Sequence, residues 1–336
     1  LGKKYDVLLL GYYGFGNLGD ELLAEAAVSL LREAGVAQSR IAILSSAPAD
    51  SEERFGVVSF NRWRLGEVTK ACSESRTLLL GGGGLFQDST SLRSCLYYCA
   101  VMLIAKVKGL RIWAVGQSVG PLRSKAARAV ARLALSLCSY ISVRDESSLK
   151  MAGELGLSAE LTPDLVMSLA PEKNAVKEPL ILFNARPGYG DLARKAAARC
   201  REAAEANGCE VRGVALAAED AAEIERLRSL QDVKIRDIIT VRNLEEFSAA
   251  IKGASGAVGM RLHFLVLCLL AGIPLAGCAY DPKVLGFCMR YNVEVVGEDP
   301  IRLGKLNDDT VQSEAAAAVR EKFTAGLRGV LGDING

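Results

Sequence analysis

Among 336 residues there is a single histidine, His263, and an arginine, Arg261, stands two positions before it. Imidazole has an ordinary pKa of about 6.5, so His263 is the one side chain able to exchange a proton near neutrality without a large shift. Both lie in Gly259-Met260-Arg261-Leu262-His263, where an apolar run ending at Val258 turns into a segment of helical period. A helix start offers unpaired amides and the positive end of the helix dipole, so Arg261 and the helix start at Leu262 together favour an anion. A lone histidine beside an apolar helix is ordinarily a core or capping residue. The glycine turn, the arginine and the helix start move the reading of His263 toward chemistry. Arg186, in Asn184-Ala185-Arg186-Pro187, closes another strand with a guanidinium, and Lys283, after Tyr280-Asp281-Pro282, is either a further cation for the same anion or a solvated charge.

The glycine runs form a second group. Gly14-Phe15-Gly16-Asn17-Leu18-Gly19 fits G-x-G-x-x-G, but the next strand ends Leu44-Ser45-Ser46-Ala47, without the acidic residue that would hold a ribose, and there is no Gly-Lys-Ser/Thr phosphate loop. What remains is a turn with Asn17 and Asp20 at a helix start, Asp20 being either a helix cap or a substrate-facing carboxylate. Gly81, Gly82, Gly83 and Gly84 follow the strand Thr77 to Leu80. Without Cβ atoms their amides can approach a ligand, the competing reading being tight packing of loop on helix. Gln87 and Asp88 follow and suit hydroxyl recognition, and a third loop, Gly116 to Pro121, occupies the equivalent place after the strand ending at Val115. Arg144 either binds an anion or bridges to Asp145 or Asp164.

These groups need a scaffold that brings strand ends to one edge. Short β-rich runs, Tyr5 to Leu10, Ile41 to Leu44, Thr77 to Leu80, Arg111 to Val115 and Tyr140 to Val143, alternate with helical stretches such as Leu92 to Lys108 and Lys125 to Cys138. Alternation of this kind predicts a parallel sheet covered on both faces. It breaks around Ala170 in a polar stretch bounded by Pro171 and Pro179 and then resumes: strand Leu180 to Asn184, helix Leu192 to Asn207, strand Glu210 to Ala215, helix Glu219 to Leu230, strand Val233 to Ile235, helix Leu244 to Lys252, strand Gly256 to Val258, helix Leu262 to Leu270, strand Pro274 to Gly277. The expected organisation is an α/β domain over 1–170, a linker over 171–179, a second α/β domain over 180–310, and a C-terminal helix and tail over 311–336 packing back on the first domain. Two Rossmann-like domains should face a cleft, with ligands beyond the carboxyl ends of the strands.

Composition excludes other classes. Lys plus Arg number 41 against 39 Asp plus Glu, a net charge of +2 with no large basic field, so nucleic acid is not an expected partner. The apolar run Phe264 to Ala271 is too short to span a bilayer, and the N-terminal run falls short of a signal-peptide core, so a cytoplasmic chain is expected. Nine cysteines without a CxxC read as buried free thiols, and with one histidine they supply no zinc ligand set. The helix Leu92 to Lys108 reads first as core, with contact to a bilayer surface as the alternative.

Taken in order, Gly-Tyr-Tyr-Gly-Phe-Gly-Asn-Leu-Gly-Asp-Glu, Leu-Leu-Gly-Gly-Gly-Gly-Leu-Phe-Gln-Asp, Gly-Gln-Ser-Val-Gly-Pro, Ser-Val-Arg-Asp and Gly-Met-Arg-Leu-His-Phe resemble the polysaccharide pyruvyltransferase family, and within it the CsaB type. The resemblance implies a GT-B-like fold. It also implies transfer of pyruvate from phosphoenolpyruvate, a substrate and not a cofactor, to two hydroxyls of one sugar as a cyclic ketal, with release of phosphate. For the CsaB type it implies an N-acetylmannosamine unit of a lipid-linked cell-wall precursor as acceptor, peripheral contact at the inner face of the cytoplasmic membrane, and a product that anchors surface-layer proteins. The family's Arg-Leu-His motif maps onto Arg261, Leu262 and His263 and its second-domain arginine onto Arg186. On this reading His263 and Arg261 are catalytic; Arg186, Arg261, Leu262 and Lys283 hold the donor; and Asn17, Asp20, Gly81 to Gly84, Gln87 and Asp88 hold the acceptor, with Asp20 or Asp88 as the base. No cofactor or metal is expected. The rival readings are a GT-B nucleotide-sugar glycosyltransferase, for which Asp281 would be the ribose carboxylate, and a non-catalytic sugar-binding protein.

Overall fold

The computed structural model describes residues 2–88, 92–172, 177–296 and 309–332. The chain forms two compact units. Unit 1 comprises Leu1–Phe15, Asp20–Ser168 and Ala315–Gly336, and unit 2 comprises Gly16–Gly19 and Leu169–Glu314. Parts of two expected segments, 173–176 of the linker and 297–308 before the C-terminal helix, lie outside the described residues, as do 333–336 of the tail.

Unit 1 is built on seven parallel strands: β1 (Tyr5–Leu10), β2 (Ile41–Ser45), β3 (Val58–Asn61), β4 (Ser75–Phe86), β5 (Arg111–Val119), β6 (Cys138–Val143) and β7 (Glu160–Leu161), in the order β3-β2-β1-β4-β5-β6-β7. Side chains alternate across this sheet. Leu8, Leu10, Leu78, Leu80, Ile112 and Ala114 join one core with α3 (Leu65–Glu74), α4 (Leu92–Val107) and α5 (Lys125–Ser136). The opposite set includes Trp113, whose ring meets Phe323 of α12 (Asp309–Leu331) edge-on at 5.3 Å between centroids. Helix α4 buries Cys95, Tyr98, Cys99, Val101, Met102 and Ala105 but leaves Leu96, Leu103 and Val107 exposed.

Close approach of α12 depends on one missing side chain. A Cβ at Gly326 would lie 2.8 Å from Tyr140 Cδ1 and 3.1 Å from Trp113 Cε3, whereas Gly329 on the same helix has open space. Gly326→Val is expected to cost about 1–3 kcal/mol by lifting the helix off the sheet, while Gly329→Ala gains up to about 1 kcal/mol from helix propensity; urea unfolding followed by tryptophan fluorescence checks both.

Unit 2 has six parallel strands: β8 (Lys177–Asn184), β9 (Glu210–Ala215), β10 (Asp237–Thr240), β11 (Gly253–Gly259), β12 (Leu275–Cys278) and β13 (Glu294–Val296), in the order β10-β9-β8-β11-β12-β13. Helices α7 (Gly190–Asn207), α8 (Ala218–Ser229), α9 (Leu244–Ile251), α10 (Leu262–Leu270) and α11 (Pro282–Arg290) connect them. The apolar run at 264–270 is buried throughout α10, as a helix without a polar face must be. All nine cysteines are free.

Three expectations are corrected. The run Val233 to Ile235 is not a strand; Val233 and Ile235 are buried in the connection before β10, so their alternation records burial and not a ladder. The four glycines are not a loop either, because β4 continues through them and pairs Gly81 with Val115 and Gly83 with Gln117. The expected third loop is likewise strand as far as Val119. Gly82 and Gly83 have φ near +86° and +88°, a conformation that only glycine adopts without strain.

Candidate functional site

In each sheet the strand order reverses once, between β1 and β4 in unit 1 and between β8 and β11 in unit 2. The carboxyl ends beside such a reversal leave a crevice, because the connecting segments leave in opposite directions. Asp20 and Gly83 lie at the first of these places, and Arg186, Arg261 and His263 at the second.

In unit 2, β8 and β11 end side by side, with Asn184 opposite Gly259. The Asn184 amide is buried and ties three elements together: Nδ2 donates to Val214 O at 2.9 Å, and Oδ1 accepts from Arg261 N at 2.9 Å. That second bond fixes the turn that starts α10, so Arg261 is its N-cap residue and His263 lies in its first turn. Leu262 is buried at the helix start. Gly19 lies against the imidazole: a Cβ there would overlap His263 Nδ1, and Leu18 N donates to Leu216 O at 3.0 Å in the same region of unit 2.

Arg261 is held by two acids from the first turn of α8. Its Nε reaches Asp220 Oδ1 and Oδ2 at 2.9 and 3.1 Å, and Nη2 reaches Glu219 Oε1 at 3.0 Å. Asp220 is fully buried. Burial works against the Arg261 charge, but hydrogen bonding and attraction from Asp220 outweigh it and hold the guanidinium above its usual pKa. Nη1 carries no hydrogen bond among the described residues, so one edge of the fork remains for a ligand oxygen. Neither Glu219 nor Asp220 stood out in the sequence. The available signal was their place in the first helical turn after β9, at the same sheet edge as Arg261.

Arg186 follows β8, its guanidinium lying 5.2 Å from the Tyr280 ring centroid with Nη1 donating to Tyr280 Oη at 2.8 Å. Burial pushes the Tyr280 phenol up, with Arg186 opposing. Its backbone N–H contacts Met260 Sδ at 3.4 Å, which places Arg186 beside the turn that carries Arg261. Lys283 Nζ is 3.5 Å from Asp281 Oδ2, and Asp281 caps α11 by accepting from Lys283 N. Asp281, the ribose candidate of the glycosyltransferase reading, therefore has a structural task. Unit 2 thus gathers Arg186, Arg261 and a helix start at one edge beside His263, with Lys283 at the start of α11 after the neighbouring strand β12, an arrangement suited to an anion with more than one charged group and to a proton transfer next to it.

Asp20, the first residue of unit 1 after the Gly16–Gly19 segment, lies in the first turn of α1 (Leu18–Glu33) and is half-buried, while Asn17 Oδ1, within that segment, accepts from Gly19 N at 3.1 Å and so occupies the capping role considered for Asp20. A Cβ on Gly83 would stand 3.5 Å from Asp20 Oδ1, so these two meet at the β1/β4 reversal. Gly81 and Gly82 serve packing, since side chains there would strike Tyr13 Oη and Leu23 Cδ2. Gly84 lies near Gln87. Glu21, next to Asp20, was not singled out in the sequence; it is buried, accepts from Gly14 N at 2.8 Å, and burial raises its pKa. Arg144 resolves to the bridge, 2.6 Å from Asp164 with both side chains buried.

Asp88 points elsewhere. Its two carboxylate oxygens accept from Arg123 N and Ser124 N at 2.8 and 2.7 Å, at the start of α5. Those amides hold its pKa below the usual carboxylate range, which makes it a poor base. A depressed folded pKa contributes stability that is complete above the unfolded value near 4 and is lost as pH falls through the folded one. Asp88→Ala is therefore expected to cost about 1 kcal/mol at neutral pH. The gap to the parent should close on acidification below about pH 4, as read from urea midpoints.

Comparison with known proteins adds the family. No curated protein sequence matches the chain. Among solved structures, the S. aureus MnaA–UDP complex superposes with a TM-score of 0.61 at 10% identity over 99% of this chain and 98% of that one. A glycosyltransferase from Rickettsia africae gives 0.58 at 9% identity over 98% and 95%. UDP-GlcNAc 2-epimerase from Neisseria meningitidis gives 0.56 at 12% identity over 95% and 90%. At such identity these similarities establish the fold, a two-domain Rossmann-like, GT-B-like α/β architecture. The family described as polysaccharide pyruvyl transferase matches residues 17–282, from Asn17 through the Arg261 and His263 turn to Pro282, and the chain belongs to that family.

Proposed function

We propose that the protein transfers pyruvate from phosphoenolpyruvate to two hydroxyls of one sugar in a cell-wall polymer, forming a cyclic ketal and releasing phosphate. The observation that carries the reading is the cationic edge of unit 2, where Arg186, Arg261 and the α10 helix start stand beside the sole histidine. Phosphoenolpyruvate bears a carboxylate and a phosphate, and this edge offers a separate holder for each: the Nη1 edge of Arg261 with the amides of Leu262 and His263, and Arg186 with Lys283.

The chemistry then follows from charge. A proton delivered to the methylene carbon of phosphoenolpyruvate leaves an oxocarbenium-like carbon that one sugar hydroxyl attacks. The bond to phosphate breaks, and the second hydroxyl closes the ring. Of the two hydroxyl protons, one balances that gained by the new methyl group and the other leaves with phosphate. His263 is the group that moves the proton at the donor. Asp20, with Gly83 beside it, is the acceptor-side base, and Asn17 and Gln87 contribute to hydroxyl recognition. The acceptor of the CsaB type, an N-acetylmannosamine unit on a lipid carrier at the cytoplasmic membrane face, is the specific form we favour.

Incubation with phosphoenolpyruvate alone should raise the melting temperature, and phosphate should appear only when a glycan acceptor is added. Stabilisation by a nucleotide sugar, with none by phosphoenolpyruvate, would instead support the glycosyltransferase reading.

A further inference from the structure

Charge is spread unevenly along a chain that is nearly neutral as a whole. Between Leu92 and Arg144 there are nine Lys and Arg and no Asp or Glu. This acid-free stretch contains α4 and α5, which pack against each other on one face of the unit 1 sheet, opposite the face that α12 covers. On α4, Leu96, Ala100, Leu103 and Val107 follow one another at three- and four-residue spacing and form a single exposed stripe. Exposure reaches 48% at Leu96, 39% at Leu103 and 84% at Val107, and Leu133 on α5 is 49% exposed. Lys106, Lys125 and Arg132 are exposed beside these residues and form no ion pair among the described residues.

We infer that the outer face of α4 and α5 docks on an anionic phospholipid bilayer. Glu154 pairs with Arg128 at 3.0 Å and Asp88 caps the start of α5, but Lys106, Lys125 and Arg132 keep their charge uncompensated by an ion pair among the described residues. Exposed leucines set among such cations are the pattern of a helix surface that inserts apolar side chains at the headgroup boundary while its cations meet lipid phosphates. No described helix is long and apolar enough to cross a membrane, so the contact is a surface one. A second copy of this chain fits worse, because a twofold contact would set one positive face against another. A nucleic acid would use the cations and leave the leucines without a partner. The face is independent of the transfer chemistry and would serve whichever sugar is modified.

Flotation of the full chain with vesicles tests the inference. The chain should float with phosphatidylcholine vesicles containing phosphatidylglycerol, stay behind with phosphatidylcholine alone, and be released by high salt. Each cation near an anionic surface changes partition by about fivefold, so K106E/R132E should lose well over tenfold. L103S/V107S should lose a similar amount, and L96S/L133S repeats the apolar test on separate positions; circular dichroism verifies that each variant is folded. The inference is overturned if the parent floats equally with neutral and anionic vesicles or with neither. It is also overturned if folded variants float like the parent, or if the same substitutions abolish self-association or duplex DNA binding in a chain that ignores vesicles.

Discussion

His263→Ala is expected to lower acceptor-dependent phosphate release by about 10²- to 10⁴-fold, the range contributed by a positioned proton-transfer group. Stabilisation by phosphoenolpyruvate should survive, because Arg186 and the open edge of Arg261 are untouched. The split between turnover and donor binding is the informative readout. A residue that merely packs α10 would reduce both together through loss of fold. Full transfer activity in the purified variant would remove His263 from the mechanism. Gly19→Ala is a companion that leaves the histidine in the sequence but drives a methyl group into its imidazole. It should reduce turnover without the loss of a titratable group.

The second large effect is on stability. Asp220→Ala leaves the Arg261 guanidinium, 12% exposed, without its main counter-charge and is expected to destabilise by about 3–5 kcal/mol in urea unfolding. Replacing both partners, as in Asp220→Leu with Arg261→Met, removes charge and counter-charge together and should cost less than the single substitution. Donor stabilisation should vanish in the double variant even where the fold recovers. An additive result, with the double variant worse than either single one, would show that Asp220 supports the unit through contacts other than Arg261.

Much of this was legible because it rested on local pattern. The β-α alternation marks the two sheets since a parallel strand buried on both faces must be apolar and its crossover long; β1 and α10 occupy the residues read from the sequence, while β11 extends beyond the Gly256 to Val258 expected for it. His263 and Arg261 were legible as rare types at a helix start. The partners of Arg261 were not, because Glu219 and Asp220 lie about forty residues away and look like ordinary first-turn acids until β9 and β11 are placed in one sheet with β8 between them. The four glycines misled in the opposite direction. Absence of Cβ atoms suits ligand approach and tight packing equally, and only the positions of Tyr13 and Leu23 show that Gly81 and Gly82 serve the latter. Asp88 looks like a hydroxyl binder in the sequence because nothing in its neighbours reveals that the amides of Arg123 and Ser124 return to it.

The position of α12 also sets an order of events during synthesis. Arg111 Nη1 bonds to Val330 O, partners 219 residues apart, and Phe323 closes over Trp113. At about 5–20 residues per second, the ribosome needs roughly ten to forty seconds to add that separation. Throughout that time one face of the unit 1 sheet, including Trp113, lacks its final cover, whereas the strands of unit 2 are all made before α12 exists. The unit that begins first is thus completed last, and its half-covered sheet is the surface a nascent chain must keep from wrong partners.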